Sequence, residues 1–290
     1  MSTSPSTIAS AAATPDARVG PAKKPHTHKR RRDRAVWWLV LIVGVAYFAL
    51  PLIATLQFSL RTKVPFKAYT NVLSDSVFWS SLGYSALCAV FTIVLSMVLI
   101  VPTAYWVRLK VPRMRPVVEF ITLLPFVIPP VVLVFGLIRV YSAPPLPLTS
   151  TDTGSNVLLV AGYVVLSLPY MYRSVDTGLR SIDIKSLTEA AQSLGAGWPT
   201  IIVRVILPNV RTAVLSGAFL TFAIVLGEFT IANYLFRPAF GPYLSYLGNH
   251  KSFEPAAVSL ISFGLTWLAI AMIAVVGRKS RGRVTVVAVK

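Results

Sequence analysis

Acidic side chains are scarce in this chain: ten, against 28 lysines and arginines in 290 residues, for a formal net charge of +18. Histidine is rarer still, with His26 and His28 near the start and His250 in a later loop, and no HExxH is present, so a buried metal site is not expected. Cysteine occurs once, as Cys88, which excludes an intrachain disulfide. There is no GxxxxGK[ST] phosphate loop, since the GRKS near the end lacks the upstream glycine of that cradle. A GxSxG elbow is also missing. The chain is therefore expected to be no enzyme and to carry no cofactor, a membrane enzyme built from scattered polar groups being the alternative left open.

What the chain has in excess is oil. Hydrophobic residues make up 55% and charged ones 13%, with a mean hydropathy of +0.68. A soluble domain this apolar has nowhere to put its side chains, so the bilayer is the expected solvent. Six runs are long enough to cross it, at 35–60, 82–107, 116–140, 155–172, 212–236 and 256–276, because about 20 apolar residues span a ~30 Å core. Basic residues crowd the tail KKPHTHKRRRDR, the link RLKVPRMR, the segment 173–211 and the end GRKSRGR, while the alternate loops hold few. This is the positive-inside pattern: an all-α integral membrane protein with six transmembrane helices and both termini cytoplasmic. Residues 1–34 read as a disordered basic tail, 35–276 as the membrane domain with a cytoplasmic loop at 173–211, and 277–290 as a second tail. The first run reads as an uncleaved anchor. The surplus charge fits topology and membrane lipid, with no folded module for nucleic acid.

Between two apolar runs lies SLTEAAQSLGAGWPTIIVRVILPNV, residues 186–210. Ser186-Leu187-Thr188-Glu189 fits a capping box, with Ser186 as N-cap and the Glu189 carboxylate reaching back. Leu187, Ala190, Ala191 and Leu194 follow at i, i+3, i+4 and i+7, an apolar stripe. Gly195 stands where a left-handed C-cap is wanted, and Pro199 where a second helix can begin. That helix is expected to run to a turn at Pro208. Two readings stand side by side: a well-capped surface helix tucked under the bundle, or a knob that fits a socket on a soluble partner.

The same residues carry a resemblance. EAAQSLG, AGWPTIIVR and VILP resemble the EAA loop of ABC-importer permeases, with Glu189, Ala190, Ala191, Gly195, Leu207 and Pro208 at the family's spacing and Val205 in place of the usual isoleucine. LPYMYRSVDTGLRSID and GEFTIANYLF resemble the polyamine, iron and phosphonate branch. Gly83-Tyr84-Ser85 departs from the Asn-Ser or Asn-Thr of relatives, and the N-terminal tail lies outside the similarity. The resemblance implies the MetI-like fold of type I ABC importers and a bacterial inner-membrane location. It implies that Ser186, Leu187, Glu189, Ala190, Ala191, Leu194, Gly195, Leu207 and Pro208 form a coupling element. It also implies three partners: a cytoplasmic ABC ATPase dimer, a second permease subunit (sister or identical) and an extracytoplasmic solute-binding protein. ATP chemistry would then belong to another chain.

Glu228 is a carboxylate inside the fifth run, roughly 24 Å along it at ~1.5 Å per residue. Charges in helix centres line pathways or pair with something, so Glu228 is a candidate pathway or gate residue, or else a protonated or helix-bridging group. Pro129 and Pro130, with Pro125, should break the third run, as a hinge near the pathway or as an inert kink. Glu119 and Arg139, near that run's ends, are expected to snorkel or pair. The first substrate expectation is a polyamine such as spermidine or putrescine, then ferric iron or a phosphonate. A stand-alone channel or ion-coupled carrier is the rival, and a membrane scaffold without transport a third reading.

Overall fold

The computed structural model describes residues 27–62, 64 and 66–279. Twelve α-helices and no strand occur among the described residues. They are α1 (Thr27–Ser59), α2 (Lys67–Leu73), α3 (Ser76–Leu109), α4 (Arg115–Val127), α5 (Pro130–Tyr141), α6 (Asp152–Arg180), α7 (Ile184–Ser193), α8 (Trp198–Thr200), α9 (Leu207–Gly227), α10 (Thr230–Tyr234), α11 (Phe240–His250) and α12 (Glu254–Lys279).

The chain divides into two units, Met1–Pro51 and Leu52–Lys290. In the first, helix α1 begins at Thr27, inside the stretch expected to be a disordered tail; residues 1–26 of that tail lie outside the described residues. Between Val36 and Leu50 its large apolar side chains are exposed, Trp37, Tyr47 and Phe48 each at least 73%, as suits a helix in lipid.

Among the described residues, four helical stretches are long and apolar enough to cross a membrane: Val36–Ser59, Ser76–Leu109, Asp152–Arg180 and Trp198–Gly227. The third expected run is the pair Pro112–Val127 and Pro130–Tyr141, bent by 100°, which makes five if the pair counts as one span. The sixth falls on α12, part of whose side chains lie outside the described residues. The fourth run lies in a helix longer than expected: α6 continues through Tyr172 to Arg180, so the start of the segment placed at 173–211 is helical.

Helices α3, α6 and α9 form the centre of the second unit. In lipid the chain has no water to drive helices together, so close backbone approach through small residues does that work. At the α6–α9 crossing, a Cβ on Gly178 would stand 2.5 Å from Ala213 Cβ, and one on Gly217 would stand 2.8 Å from Met171 Sδ. Across α3 and α6, the buried Ser96 and Ser167 hydroxyls are 2.8 Å apart. The helices start on side-chain caps: Asp75 accepts the Val77 N–H (2.9 Å) and Thr151 accepts the Gly154 N–H (3.1 Å). Gly178→Ala is expected to cost about 1–3 kcal/mol of stability through overpacking, read as a lower thermal midpoint in detergent. Gly83→Ala, whose Cβ meets nothing within 4 Å, should leave that midpoint unchanged.

Candidate functional site

The polar interlude folds as an elbow. Its first helix, α7, starts earlier than the capping-box reading placed it. Asp183, not Ser186, is the N-cap: its carboxylate accepts the Ser186 hydroxyl at 2.6 Å and the Ser186 N–H at 3.2 Å. Ser186 is thus a donor inside the first turn, and Glu189, freed from capping, lies 3.9 Å from Lys185. The bonds from the Ser186 hydroxyl and N–H hold the Asp183 carboxyl below the usual carboxylate range. The cap is therefore complete at neutral pH and is lost only as pH falls through that lowered value.

The C-terminal end is as the glycine predicts. Gly195 sits at φ +77°, its N–H donates to Gln192 O (2.9 Å), and the Ala196 N–H donates to Ala191 O (3.0 Å). This pair of bonds is the Schellman arrangement, which needs a left-handed residue. The chain then turns at Gly197, and Pro199 lies in the first turn of α8.

Pro208 was expected to end that second helix, and it does not. Residues Ile201–Ile206 form a π-helical turn in which the Leu207 N–H reaches Ile202 O, and α9 follows at once. Proline has no N–H and its ring crowds the preceding turn; the wider register makes room for it. The elbow is therefore continuous with a stretch long and apolar enough to cross a membrane, Trp198–Gly227, and Leu207 and Pro208 lie on that shaft.

The expected apolar stripe divides. The buried side of α7 is Ile184, Thr188 and Ala191, spaced i, i+4, i+7. Glu189 and Ala190 face outward, Leu187 is half-buried, and Leu194 is 89% exposed. Thr188 decides the rotation: its hydroxyl donates to Ile184 O (2.7 Å) and lies 2.9 Å from the Tyr105 hydroxyl at the end of α3. Trp198 completes the seat, with Tyr105 and Trp106 rings both 5.6 Å away and Lys110 Nζ 5.4 Å from its ring centre. Tyr105, Thr188 and Trp198 are the residues that the sequence reading missed. The tryptophan in AGWP was the available signal.

Beside the elbow, charged groups tie the ends of α3, α4 and α6. Asp176 receives Arg108 at 2.8 Å, Arg180 at 2.8 Å and Arg115 at 3.7 Å. Glu119 pairs with Arg115 at 2.8 Å, as its position near a span end suggested.

Glu228 lies elsewhere and does something other than stand inside a helix. Helix α9 ends at Gly227, before the expected boundary, and the Glu228 carboxylate turns onto the next helix. It accepts the Ile231 N–H at 2.9 and 3.0 Å and the Ala232 N–H at 3.3 Å. The N–H groups that open α10 at Ile231 and Ala232 are buried and need an acceptor, and this side chain is one. Gly241 packs on the same break, since a Cβ there would overlap the carbonyl oxygen of Glu228. Pro129 and Pro130 sit at the 100° bend between α4 and α5, as N-cap and first residue of α5. The structure does not bring them, Glu228 and the elbow into one site.

Comparison with known proteins agrees with this architecture. The family described as "Binding-protein-dependent transport system inner membrane component" matches residues 98–281. "Probable molybdenum ABC transporter permease protein HVO_B0370" of Haloferax volcanii is 31% identical over 221 residues, covering 70% of this chain and 78% of its own length. "Spermidine/putrescine transport system permease protein PotB" of Haemophilus influenzae is 25% identical over 186 residues, covering 58% and 62%. "Probable ABC transporter permease protein y4fN" of Sinorhizobium fredii is 34% identical over 165 residues, 55% of this chain, which spans only 29% of that relative. In structure, the chain is similar to a subunit of a bacterial alginate ABC transporter solved with an alginate pentasaccharide-bound periplasmic protein. That match has a TM-score of 0.65 at 15% identity and covers 87% of this chain and 96% of the other, a likeness of fold. The helical architecture and the match over residues 98–281 show that the chain belongs to the binding-protein-dependent transport system inner membrane component family, as a multi-pass permease subunit of the ABC-importer class.

Proposed function

We propose that the elbow of α7, Gly195 and α8 is the element through which a cytoplasmic ATPase dimer drives this permease. The observation that carries the reading is the two-sidedness of α7. One side is pinned to α3 through Thr188 and Tyr105, while Glu189, Ala190 and Leu194 stand open. A push on the open side passes through Gly195 and α8 straight into α9. On this reading both termini and the elbow face the cytoplasm, and a second permease subunit completes the pathway. The bend at Pro129 and Pro130 forms part of its wall, and an extracytoplasmic binding protein delivers the solute.

Ala190→Arg tests the docking. Ala190 is exposed, so the longer side chain leaves the chain folded and inserted. Co-purification with the ATPase and ATP-dependent uptake should both be lost. Uptake that persists without the ATPase would establish the channel or carrier instead.

For the solute, the reading is a polyamine such as spermidine or putrescine, supported by the resemblance of GEFTIANYLF and by the relative named for spermidine and putrescine. Glu228 no longer supports a cationic solute, because its carboxylate is taken up by backbone donors. The relative named for molybdenum covers more of the chain, so molybdate is the second reading. Vesicles supplied with ATP, ATPase and binding protein should accumulate labelled spermidine. Accumulation of molybdate with spermidine ignored would overturn the polyamine reading and leave the coupling reading intact.

A further inference from the structure

Between the elbow-side ends of α4 and α6 lies a cavity of about 540 Å³, lined by Arg115, Arg173, Arg180, Glu119, Asp176 and Leu123 among others. Its charges do not cancel. Asp176 is buried and its oxygens are already engaged by Arg108, Arg180 and Arg115. Glu119 is engaged by Arg115 and, at 3.8 Å, by Arg180. Three arginines thus share two carboxylates, and a fourth, Arg173, exposed on the cavity wall, has no ion pair among the described residues. A guanidinium fork of this kind matches a phosphate. The cavity also has an apolar continuation. Leu123 stands on α4 in line with Phe120 and Val127, a stripe spaced by three and four residues whose members are 41%, 66% and 78% exposed.

We propose that this cavity is a site for the headgroup of an anionic phospholipid, with the phosphodiester on Arg173 and its neighbours and the acyl chains along the Phe120–Leu123–Val127 face of α4. A basic pocket between membrane helices at the cytoplasmic surface is where such a headgroup resides. The apolar stripe favours a lipid over a free phosphate, which has no use for it. Because the cavity is walled by α6, which leads into the elbow, the lipid would brace the segment that receives mechanical work.

The full chain, purified in mild detergent, is offered phosphatidylglycerol, phosphatidylcholine of the same acyl chains, or inorganic phosphate, and bound lipid is counted by native mass spectrometry. Phosphatidylglycerol should be retained over phosphatidylcholine. Arg173→Gln should weaken its retention about fivefold, on the scale of one basic side chain near an anionic membrane, and Arg173→Lys should keep most of it. Because Arg173 has no ion pair to lose, the fold does not depend on it. Leu123→Gln should also weaken retention. Equal retention of the two lipids, or no change with Arg173→Gln, overturns the proposal. Displacement of the lipid by inorganic phosphate at equal concentration makes the cavity a soluble-anion site and overturns the lipid assignment.

Discussion

Gly195→Val is expected to abolish solute uptake while leaving the amount of inserted permease near normal. The reason is conformational. Nothing lies within 4 Å of a Cβ built on Gly195, so space is not at issue. Its φ of +77° is. An L-residue in the left-handed region costs about 1–2 kcal/mol, a factor of roughly 5–30 in the population of the bent form, and a β-branched residue suffers most. The strain falls on the joint between α7 and α8, where two hydrogen bonds, to Gln192 O and Ala191 O, define the angle. Relieving it swings α7 relative to α9. Gly195→Asn separates the explanations, because asparagine tolerates this conformation. If angle is what matters, the asparagine variant should transport far better than the valine variant. If both are equally inactive with the ATPase unable to bind, the exposed surface at residue 195 is the sensitive feature and the angle is not.

The second large effect is expected at Glu228. Glu228→Ala removes the acceptor for the Ile231 and Ala232 N–H groups, and a buried donor left unsatisfied costs about 1–3 kcal/mol. Helix α10 should loosen, and with it the seat of Gly241 on the Glu228 backbone, so the thermal midpoint falls and uptake falls with it. Glu228→Gln keeps a carbonyl oxygen in the same place. If the side chain serves as a cap, the glutamine variant should retain most of both stability and transport. A glutamine variant as stable as wild type yet without uptake would show that the negative charge itself meets the solute, and would return Glu228 to the pathway.

These two positions show how unevenly the molecule can be read from its residues in order. Gly195 was legible as a left-handed cap because that requirement is local: a helix ends, and only certain residues take the next conformation. Glu228 was legible as an ionisable group in an apolar run, but not as a cap. At the break after α9 the backbone of Gly241 packs against that of Glu228, which no spacing within VLGEFTIA reveals. Ser186 and Glu189 matched a capping box, yet Asp183 took the cap. Both patterns were present, and the seating of Thr188 on Tyr105 selected the register. Pro208 looked like a stop because proline usually is one, and the π turn before it accommodated the ring.

By itself the sequence determined the solvent, through a hydrophobic content that only a bilayer accommodates. It also determined the family, through the EAA spacing, and the bend, through Gly195 and Pro199, because each of these is written in contiguous residues. Tertiary structure alone decided which face of α7 stands open and what the Glu228 carboxylate binds. It also brought Arg108 onto Asp176, 68 residues away, and placed Arg115 and Glu119 of α4 beside Asp176 and Arg180 of α6 in one charged cavity. Those outcomes depend on how the helices pack, since the partner of a buried polar or charged group is whichever group the packing brings beside it.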